Sequence, residues 1–183
     1  MSKLFVIGLS HRTAPLTMRE SLAVPDAELR DRLQAAAALC GEAMLLSTCN
    51  RVELYGSLRD ESAVEKLRKL VTQTQPDAER HLYEKHGPEA IGHLFRVASS
   101  LDSLVLGEPQ ILGQLKQAYR SAQEIGTVGQ VLGTVVPKAF AVAKRVRTET
   151  AIGENPAPVA AVAVQLAPQG FGSLHQQPAR IIG

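Results

Sequence analysis

Signals for β-strands occur throughout the first 86 residues or so, and the periodic segments from Pro88 to about Ala167 have the spacing of amphipathic helices. Within the first region, short apolar runs over residues 3–9, 43–46, 52–58 and 81–84 alternate with helical patterns over 26–39 and 62–72. Pro25 and Asp26 mark the start of the first helical pattern, and Gly41 marks its end. The order β-α-β-β-α-β predicts an α+β fold with a ferredoxin-like unit over residues 1–86.

Residues 87–150 predict a helical subdomain. Apolar residues recur three and four positions apart in three successive segments, around Leu94, Leu115 and Val136. An alanine- and valine-rich stretch then predicts a further helix that runs to about Ala167, just before Pro168. Residues 179–183 have the form of a first Rossmann strand that reaches its glycine loop, although a lone Gly183 is weak evidence for dinucleotide binding.

The composition fits one ordinary globular core. The chain has 183 residues, of which 45% are hydrophobic and 21% charged, with a net charge of +2, and these values exclude a disordered chain. No signal peptide follows Met1, and no apolar run approaches the roughly 20 residues that cross a bilayer. We therefore expect a cytoplasmic protein that does not enter a membrane and keeps its two cysteines, Cys40 and Cys49, reduced.

Basic residues outnumber acidic ones in the helical part of the chain. Between residues 116 and 149 the acidic side chains are Glu124 and Glu149. The basic ones are Lys116, Arg120, Lys138, Lys144, Arg145 and Arg147. Such a surplus is either a solvated helix face or a surface that meets phosphates, and the residues alone leave both interpretations open.

The segment Ser47-Thr48-Cys49-Asn50-Arg51 lies at a tight connection between two predicted strands. A cysteine there is exposed to a cleft, and its thiolate is the reactive form. Arg51 offers a fixed positive charge that favours a thiolate or holds a carboxylate through two hydrogen bonds. The alternative is that Cys49 is a small buried apolar residue, and the spacing does not decide between them. Cys40 ends an alanine-rich helix, and we expect it to pack in the core.

His93 lies at the border of the apolar face of its predicted helix. A histidine there either lines a cleft and transfers protons or is a partly exposed structural residue. Glu108 and Pro109 precede the next helix, and proline suits a first helical turn. That helix carries a polar stripe of Gln110, Gln114, Gln117 and Ser121. The stripe is either solvated surface or, together with Glu108, a site for a polar ligand that carries an amine and carboxylates.

Four segments of the chain occur together in one order. They are Gly8-Leu9-Ser10-His11-Arg12-Thr13-Ala14-Pro15, Ser47-Thr48-Cys49-Asn50-Arg51-Val52-Glu53, His93-Leu94-Phe95-Arg96-Val97-Ala98, and Leu101-Asp102-Ser103-Leu104-Val105-Leu106-Gly107-Glu108-Pro109-Gln110-Ile111-Leu112-Gly113-Gln114. In this combination the chain resembles the glutamyl-tRNA reductases along its whole length. The joint occurrence is far more specific than any one segment.

The resemblance implies a two-electron reduction of an activated acid. Cys49 would attack the ester of glutamyl-tRNA to form a thioester, which a hydride from NADPH would convert to glutamate-1-semialdehyde, the precursor of 5-aminolevulinate and the tetrapyrroles. His93 would assist proton transfer or orient the site. The family's substrate-binding positions correspond here to Thr48, Asn50, Arg51, Ser103, Glu108, Pro109, Gln110 and Gln114. Arg51 would meet a substrate carboxylate, and we infer that Glu108 meets the ammonium group.

The resemblance also implies a domain organisation. Residues 1–150 correspond to the catalytic N-terminal domain, 151–178 to the linker helix, and Gly183 to the first glycine of the NADPH-binding loop. Relatives continue through an NADPH domain and a helical dimerisation domain, so we expect this chain to form the thioester without completing the reduction, and to be monomeric. The implied partners are glutamyl-tRNA(Glu) and glutamate-1-semialdehyde aminomutase, and no metal site is predicted.

Two other functions stay open from the sequence. The basic helices would also suit a stand-alone tRNA-binding or regulatory module without catalysis. A thiol esterase with no redox role is a second alternative. Cleavage of charged tRNA that depends on Cys49 would distinguish an enzyme from a binding module.

Overall fold

A computed structural model describes residues 3–58, 60–72, 75–104, 107–108 and 110–153 of the chain. Pro109, Gly183 and nearly all of the predicted linker helix lie outside these residues. The described part is an α+β fold of one four-stranded sheet and six α-helices. The predicted fold class is confirmed.

The four strands form one antiparallel sheet. They are β1 (Lys3–Ser10), β2 (Ala43–Ser47), β3 (Arg51–Leu58) and β4 (Tyr83–His86). Their order across the sheet is β2-β3-β1-β4, with antiparallel pairing at each step. This order is that of the ferredoxin-like β-α-β-β-α-β unit, because each helical crossover returns the chain to the far side of a central strand.

Two groups of helices pack against the sheet. The helices are α1 (Leu16–Ser21), α2 (Asp26–Cys40), α3 (Val64–Thr72), α4 (Gly87–Ala98), α5 (Gln110–Ile125) and α6 (Gln130–Glu149), with 3-10 turns at Glu61–Ala63, Pro76–His81 and Ala151–Gly153. The three helices predicted after residue 87 are all present. Helix α1 lies in a stretch where the sequence predicted no element. None of the described helices is long and apolar enough to span a bilayer.

Both faces of the sheet are covered. All eight residues of β3 are buried, and successive strand residues point to opposite faces. Helices α2 and α3 contact each other and the sheet, whereas α4, α5 and α6 form the second layer. The alternation of apolar residues with Glu53 and Tyr55 in β3 therefore does not mark a solvated face. These two polar side chains are buried beside the candidate site.

Glu42, just before β2, fixes the helical layer to the sheet. Its carboxylate accepts the main-chain N–H groups of Val131 (3.0 Å) and Leu132 (2.8 Å) at the first turn of α6. These groups have no partner within the helix, and an acidic group at a helix N-terminus is favourable. A Cβ atom on Gly129 would lie 2.6 Å from the Glu42 carboxyl carbon, so a larger residue there would push this carboxylate away from its place at the helix N-terminus.

Candidate active site around Cys49

The connection between β2 and β3 is a tight turn built by Thr48. The Thr48 N–H donates to the Arg51 carbonyl (2.8 Å), and the Thr48 hydroxyl accepts the N–H groups of Asn50 (3.2 Å) and Arg51 (3.1 Å). Cys49 lies in this turn and is exposed, whereas Cys40 is buried. The interpretation of Cys49 as a buried apolar residue is therefore wrong. Burial raises the pKa of the Cys40 thiol.

Helix α1 holds the main chain at Cys49. The guanidinium of Arg19 donates to the Cys49 carbonyl (3.1 Å) and to the Ala14 carbonyl (2.7 Å). Arg19 is only 8% exposed, and no carboxylate lies within ion-pair distance of it in the described part of the chain. A buried cation without a counter-ion is expensive, so its two bonds to carbonyl groups matter for the shape of the turn.

Cys49 opens into a cavity of about 310 Å³ between the turn and the start of α5. Its walls combine residues that lie more than 50 positions apart in the chain. They are Thr48, Cys49, Asn50, Arg51, Ser103, Leu104, Glu108, Gln110, Ile111 and Gln114. The cavity thus brings together Cys49 and every predicted substrate-binding residue within the described ranges. The polar stripe of α5 is consequently part of a cavity wall at Gln110 and Gln114.

His93 does not line this cavity. It is 4% exposed, and its Nε2 atom lies 2.6 Å from Oε1 of Glu53. The ring of Tyr83 meets it edge-on, with 5.4 Å between ring centroids. This burial agrees with neither of the two positions that the sequence left open, at a cleft or partly exposed, because β3 and β4 cover the polar edge of α4 with their own polar side chains.

Glu53 is the centre of a buried hydrogen-bonded network. Its carboxylate accepts from Nη1 of Arg51 (2.9 Å), from the Tyr55 hydroxyl (2.7 Å), from the Tyr83 hydroxyl, and pairs with His93. Burial opposes ionisation of Glu53, but Arg51 and His93 outweigh it and lower the pKa to about 2. Burial, and then the negative charge of Glu53, raise the pKa of both tyrosines well above the ordinary value. Glu53 is therefore a carboxylate among neutral phenols.

Arg51 is also engaged on its other side. Its Nη2 atom donates to the Asp102 carboxylate (3.1 Å) and to the Asp102 carbonyl oxygen. Nε of Arg12 pairs with the second carboxylate oxygen of Asp102 at 3.0 Å. Burial opposes the charge of Arg51 and lowers its pKa. Glu53 and the other acidic groups around Arg51 outweigh this effect and hold the pKa of Arg51 above its usual value. Both terminal nitrogens of Arg51 are thus occupied by Glu53 and Asp102. From the sequence we expected Arg51 to hold a substrate carboxylate through two hydrogen bonds and did not foresee these partners.

Several of these supporting residues were missed by sequence reasoning. His11 donates its main-chain N–H to the Asn50 carbonyl (2.8 Å), and burial followed by Arg51 lowers its pKa. His11, Glu53 and Asp102 all lie within the four matched segments, so the signal was present although no role was assigned. Arg19 and Tyr83 lie outside those segments, and only the fold brings them to the site.

Volume alone does not select this cavity. A larger one of about 600 Å³ lies beside α3, and its walls include Asp60, Glu61, Glu84 and His86. Its lining contains no cysteine and no residue of the matched segments. Within the described ranges, no group of three His, Cys, Asp or Glu side chains is arranged to hold a metal ion. The chemistry of the lining therefore points to the cavity at Cys49.

Fold and site together define a ferredoxin-like α+β domain in which a helical layer closes a polar cavity over an exposed cysteine. Residues 7–150 match the protein-family model described as "Glutamyl-tRNAGlu reductase, N-terminal domain". The chain belongs to the glutamyl-tRNA reductase family. The resemblance of its motifs is thereby confirmed.

Relatives in bacteria and a solved structure agree with this assignment. The chain is 49% identical to a glutamyl-tRNA reductase of Myxococcus xanthus, over 99% of this chain and 42% of that protein. It is 45% identical to "Glutamyl-tRNA reductase 2" of Koribacter versatilis, over 98% of this chain and 42% of that protein. The solved reductase of Methanopyrus kandleri is 36% identical with a TM-score of 0.75, over 96% of this chain and 42% of that one. The chain thus spans about 42% of the length of these relatives.

Proposed function

We propose that this chain carries out the acyl-transfer half of the glutamyl-tRNA reductase reaction, in which Cys49 takes the glutamyl group from glutamyl-tRNA. The observation that supports it is the position of Cys49. Cys49 is exposed in a cavity of about 310 Å³ whose walls include the residues that the resemblance assigns to substrate binding within the described ranges. An exposed thiol in a polar, shaped cavity is what covalent catalysis by cysteine requires.

The proposed step is a transesterification. The Cys49 thiolate attacks the carbonyl carbon of the glutamyl ester, an S–C bond forms, and the C–O bond to the terminal ribose breaks. The ribose oxygen leaves with a proton, so no oxidant or reductant is needed. The product is a glutamyl thioester on Cys49, which accepts a hydride more readily than an ester does.

The turn and its neighbours give this step its geometry. Because Thr48 and Arg19 fix the main chain on both sides of the nucleophile, the Cys49 thiol is held at the cavity rather than left on a mobile loop. The amides of Gln110 and Gln114 face the same space and can donate to the substrate's carbonyl or carboxylate oxygens. Glu108 supplies the one acidic side chain in the lining, which suits the substrate's ammonium group.

His93 and Glu53 act as positioning residues in this proposal. Neither lines the cavity, and both are buried behind Arg51. Through the Glu53 carboxylate, His93 holds Arg51 at the cavity wall. Of the two roles that the resemblance allows for His93, orientation of the site therefore has the better support.

The described residues do not offer a site for NADPH. Within the described ranges no strand leads through a Gly-x-Gly-x-x-Gly stretch into a helix, which is the usual cradle for a dinucleotide pyrophosphate. We therefore assign no reduction step to them. For the complete enzyme we propose that NADPH supplies the hydride in the cytoplasm and that an aminomutase consumes the aldehyde.

The test is single-turnover acylation with radiolabelled glutamyl-tRNA. Wild-type chain should acquire a protein-bound label that hydroxylamine releases, as expected of a thioester. Cys49→Ser should give no such label, since a serine hydroxyl is a far weaker nucleophile at neutral pH. Cys40→Ser is the matched control and should be labelled like wild type, because Cys40 is buried in the core.

The alternatives give different results in the same assay. A binding module would retain the tRNA without any covalent label, even with Cys49 intact, and that result would refute the proposal. Equal labelling of the Cys49→Ser chain would also refute it. A simple thiol esterase would form the label and then release glutamate. This alternative would be favoured only if the complete enzyme failed to reduce the glutamyl group of glutamyl-tRNA to the aldehyde with NADPH.

A further inference from the structure

A second concave surface lies between α5 and α6. This groove, of about 470 Å³, has a floor of Leu112, Phe140 and Ala141, and its rim carries Lys116, Lys144 and Arg147. Lys116 lies 5.9 Å from the centroid of the Phe140 ring, which keeps its charge over the groove. The part of the lining that the structure describes contains no acidic residue. The groove is therefore a basic surface with an aromatic floor.

Within the described residues, no acidic side chain pairs with the cations of the groove. Glu149, the acidic residue near the end of α6, is bound to Arg145 through two contacts of 2.9 and 3.1 Å. None of Lys116, Lys144 and Arg147 forms an ion pair within the described part of the chain. Three like charges around one concavity attract a polyanion.

The groove and the Cys49 cavity share the first two turns of α5. Gln110 and Gln114 face the cavity, whereas Leu112 and Lys116 face the groove, about half a turn further round the helix. A strand that leaves the cavity has to cross only the exposed side of one helix, about 10–12 Å wide, to reach the groove.

Gly113 lies on the exposed side between them. Apart from its chain neighbours and the backbone of its own helix, no described atom lies within 4 Å of where its Cβ would stand, so packing does not explain a glycine at this position. Glycine in a helix interior is less favourable than alanine by about 1 kcal/mol. A missing side chain here leaves the helix backbone open to close approach by another chain.

We propose that the α5–α6 groove binds the phosphate backbone of the aminoacylated tRNA, whose strand crosses Gly113 on the way to Cys49. The inference rests on the proposed function, since it assigns a surface to the same substrate. Charge decides in favour of RNA over a protein segment, because the rim is cationic throughout and phosphates are the natural counter-charge. The groove then retains the tRNA while the cavity holds the acyl group.

The experiment measures the affinity of the chain for uncharged tRNA(Glu) by fluorescence anisotropy over a range of salt concentrations. The groove variant combines Lys116→Gln, Lys144→Gln and Arg147→Gln. Its Kd should rise by about tenfold or more, and the slope of log Kd against log salt should decrease by about one for each phosphate that the variant no longer neutralises. A control variant with Arg30→Gln, Lys66→Gln and Lys69→Gln removes the same charge from α2 and α3 and should behave like wild type within about twofold.

A steric variant tests the crossing. Gly113→Leu should weaken tRNA binding several-fold, because the new side chain blocks the crossing. Leucine has a higher helix propensity than glycine, so a lower affinity for tRNA cannot be attributed to unfolding of α5. If the groove variant binds tRNA like the control variant, or the salt slope does not change, the inference is wrong.

A glutamyl ester of adenosine, which has no further phosphates, separates this inference from the proposed function. The groove variant should acylate Cys49 with this ester at the wild-type rate, since the cavity is intact. Slower acylation by the ester would show that the substitutions disturb the cavity, and the inference would fall. If even the wild-type chain is not acylated by glutamyl-tRNA, the proposed function fails, while the tRNA affinities still decide whether the groove binds RNA.

Discussion

Replacing Glu53 by glutamine removes the one charge that balances Arg51 from inside the protein. Glutamine keeps the size and an acceptor oxygen but not the negative charge, so Arg51 is left with Asp102 alone. The pKa of Glu53 is lowered from 4.5 to about 2 in the folded protein. The difference between the two values corresponds to about 3 kcal/mol of stability at neutral pH. That figure agrees with the typical loss when one partner of a buried ion pair is removed.

The sign of the pH dependence follows from the direction of this change. Because the folded-state pKa lies below the ordinary one, the ionised Glu53 stabilises the fold fully above about pH 4.5. This contribution is lost as the pH falls through the folded-state pKa of about 2. The advantage of the wild type over Glu53→Gln should thus be about 3 kcal/mol at pH 7 and about 1 kcal/mol at pH 3.

Urea unfolding at the two pH values measures both quantities. Glu28→Gln is the matched control, since Glu28 pairs with Arg32 at 2.7 Å on the surface of α2 and its side chain is 52% exposed. It should change stability by less than about 0.5 kcal/mol. A Glu53→Gln loss below about 1 kcal/mol at pH 7, or the same loss at pH 3, would refute the assignment of Glu53 as the buried counter-ion of Arg51.

Two further substitutions test the frame of the site. Gly8→Ala should destabilise the chain by about 3 kcal/mol or more in thermal unfolding, because the new Cβ would lie 2.4 Å from the Val52 carbonyl oxygen in the neighbouring strand. Gly113→Ala is its control and should stabilise by about 0.5–1 kcal/mol, and destabilisation there would contradict the open space at that position. Arg19→Met should reduce stability by about 1–3 kcal/mol, since the Cys49 carbonyl loses its buried donor, and an unchanged urea midpoint would show that the clamp is dispensable.

The sequence predicted the fold well because its signals are local. The strand and helix patterns determine the order of the elements, and the order β-α-β-β-α-β permits few sheets. Pro25 and Gly41 bracket α2 (Asp26–Cys40) within one residue. Helix α1 was missed because it has only six residues and no side-chain cap, so it shows neither a period nor a start signal. It is held by the contacts of Arg19 instead.

The residues that line the Cys49 cavity could be predicted from the sequence, but the buried residues that hold them in place could not. The residues around Cys49 were identified by resemblance, and the cavity gathers all of those within the described ranges. His93 shows the limit of a helical wheel. The wheel places it at the edge of an apolar face, but whether that edge meets water depends on Glu53 and Tyr83, which come from two strands. No pattern within one helix contains that information.

The buried network also constrains how Arg51 can serve a substrate. Its Nη1 and Nη2 atoms are committed to Glu53 and Asp102, and only Nε has no hydrogen-bond partner in the described part of the chain. A substrate carboxylate that takes two bonds from Arg51 must therefore displace Asp102 from Nη2, and one that takes a single bond at Nε must reach a nitrogen that is buried. Breaking a mostly buried ion pair costs several kcal/mol, so a two-bond grip by Arg51 is disfavoured. Under the proposed function, the remaining lone pairs of that carboxylate would then fall to uncharged donors such as Gln110 and Gln114.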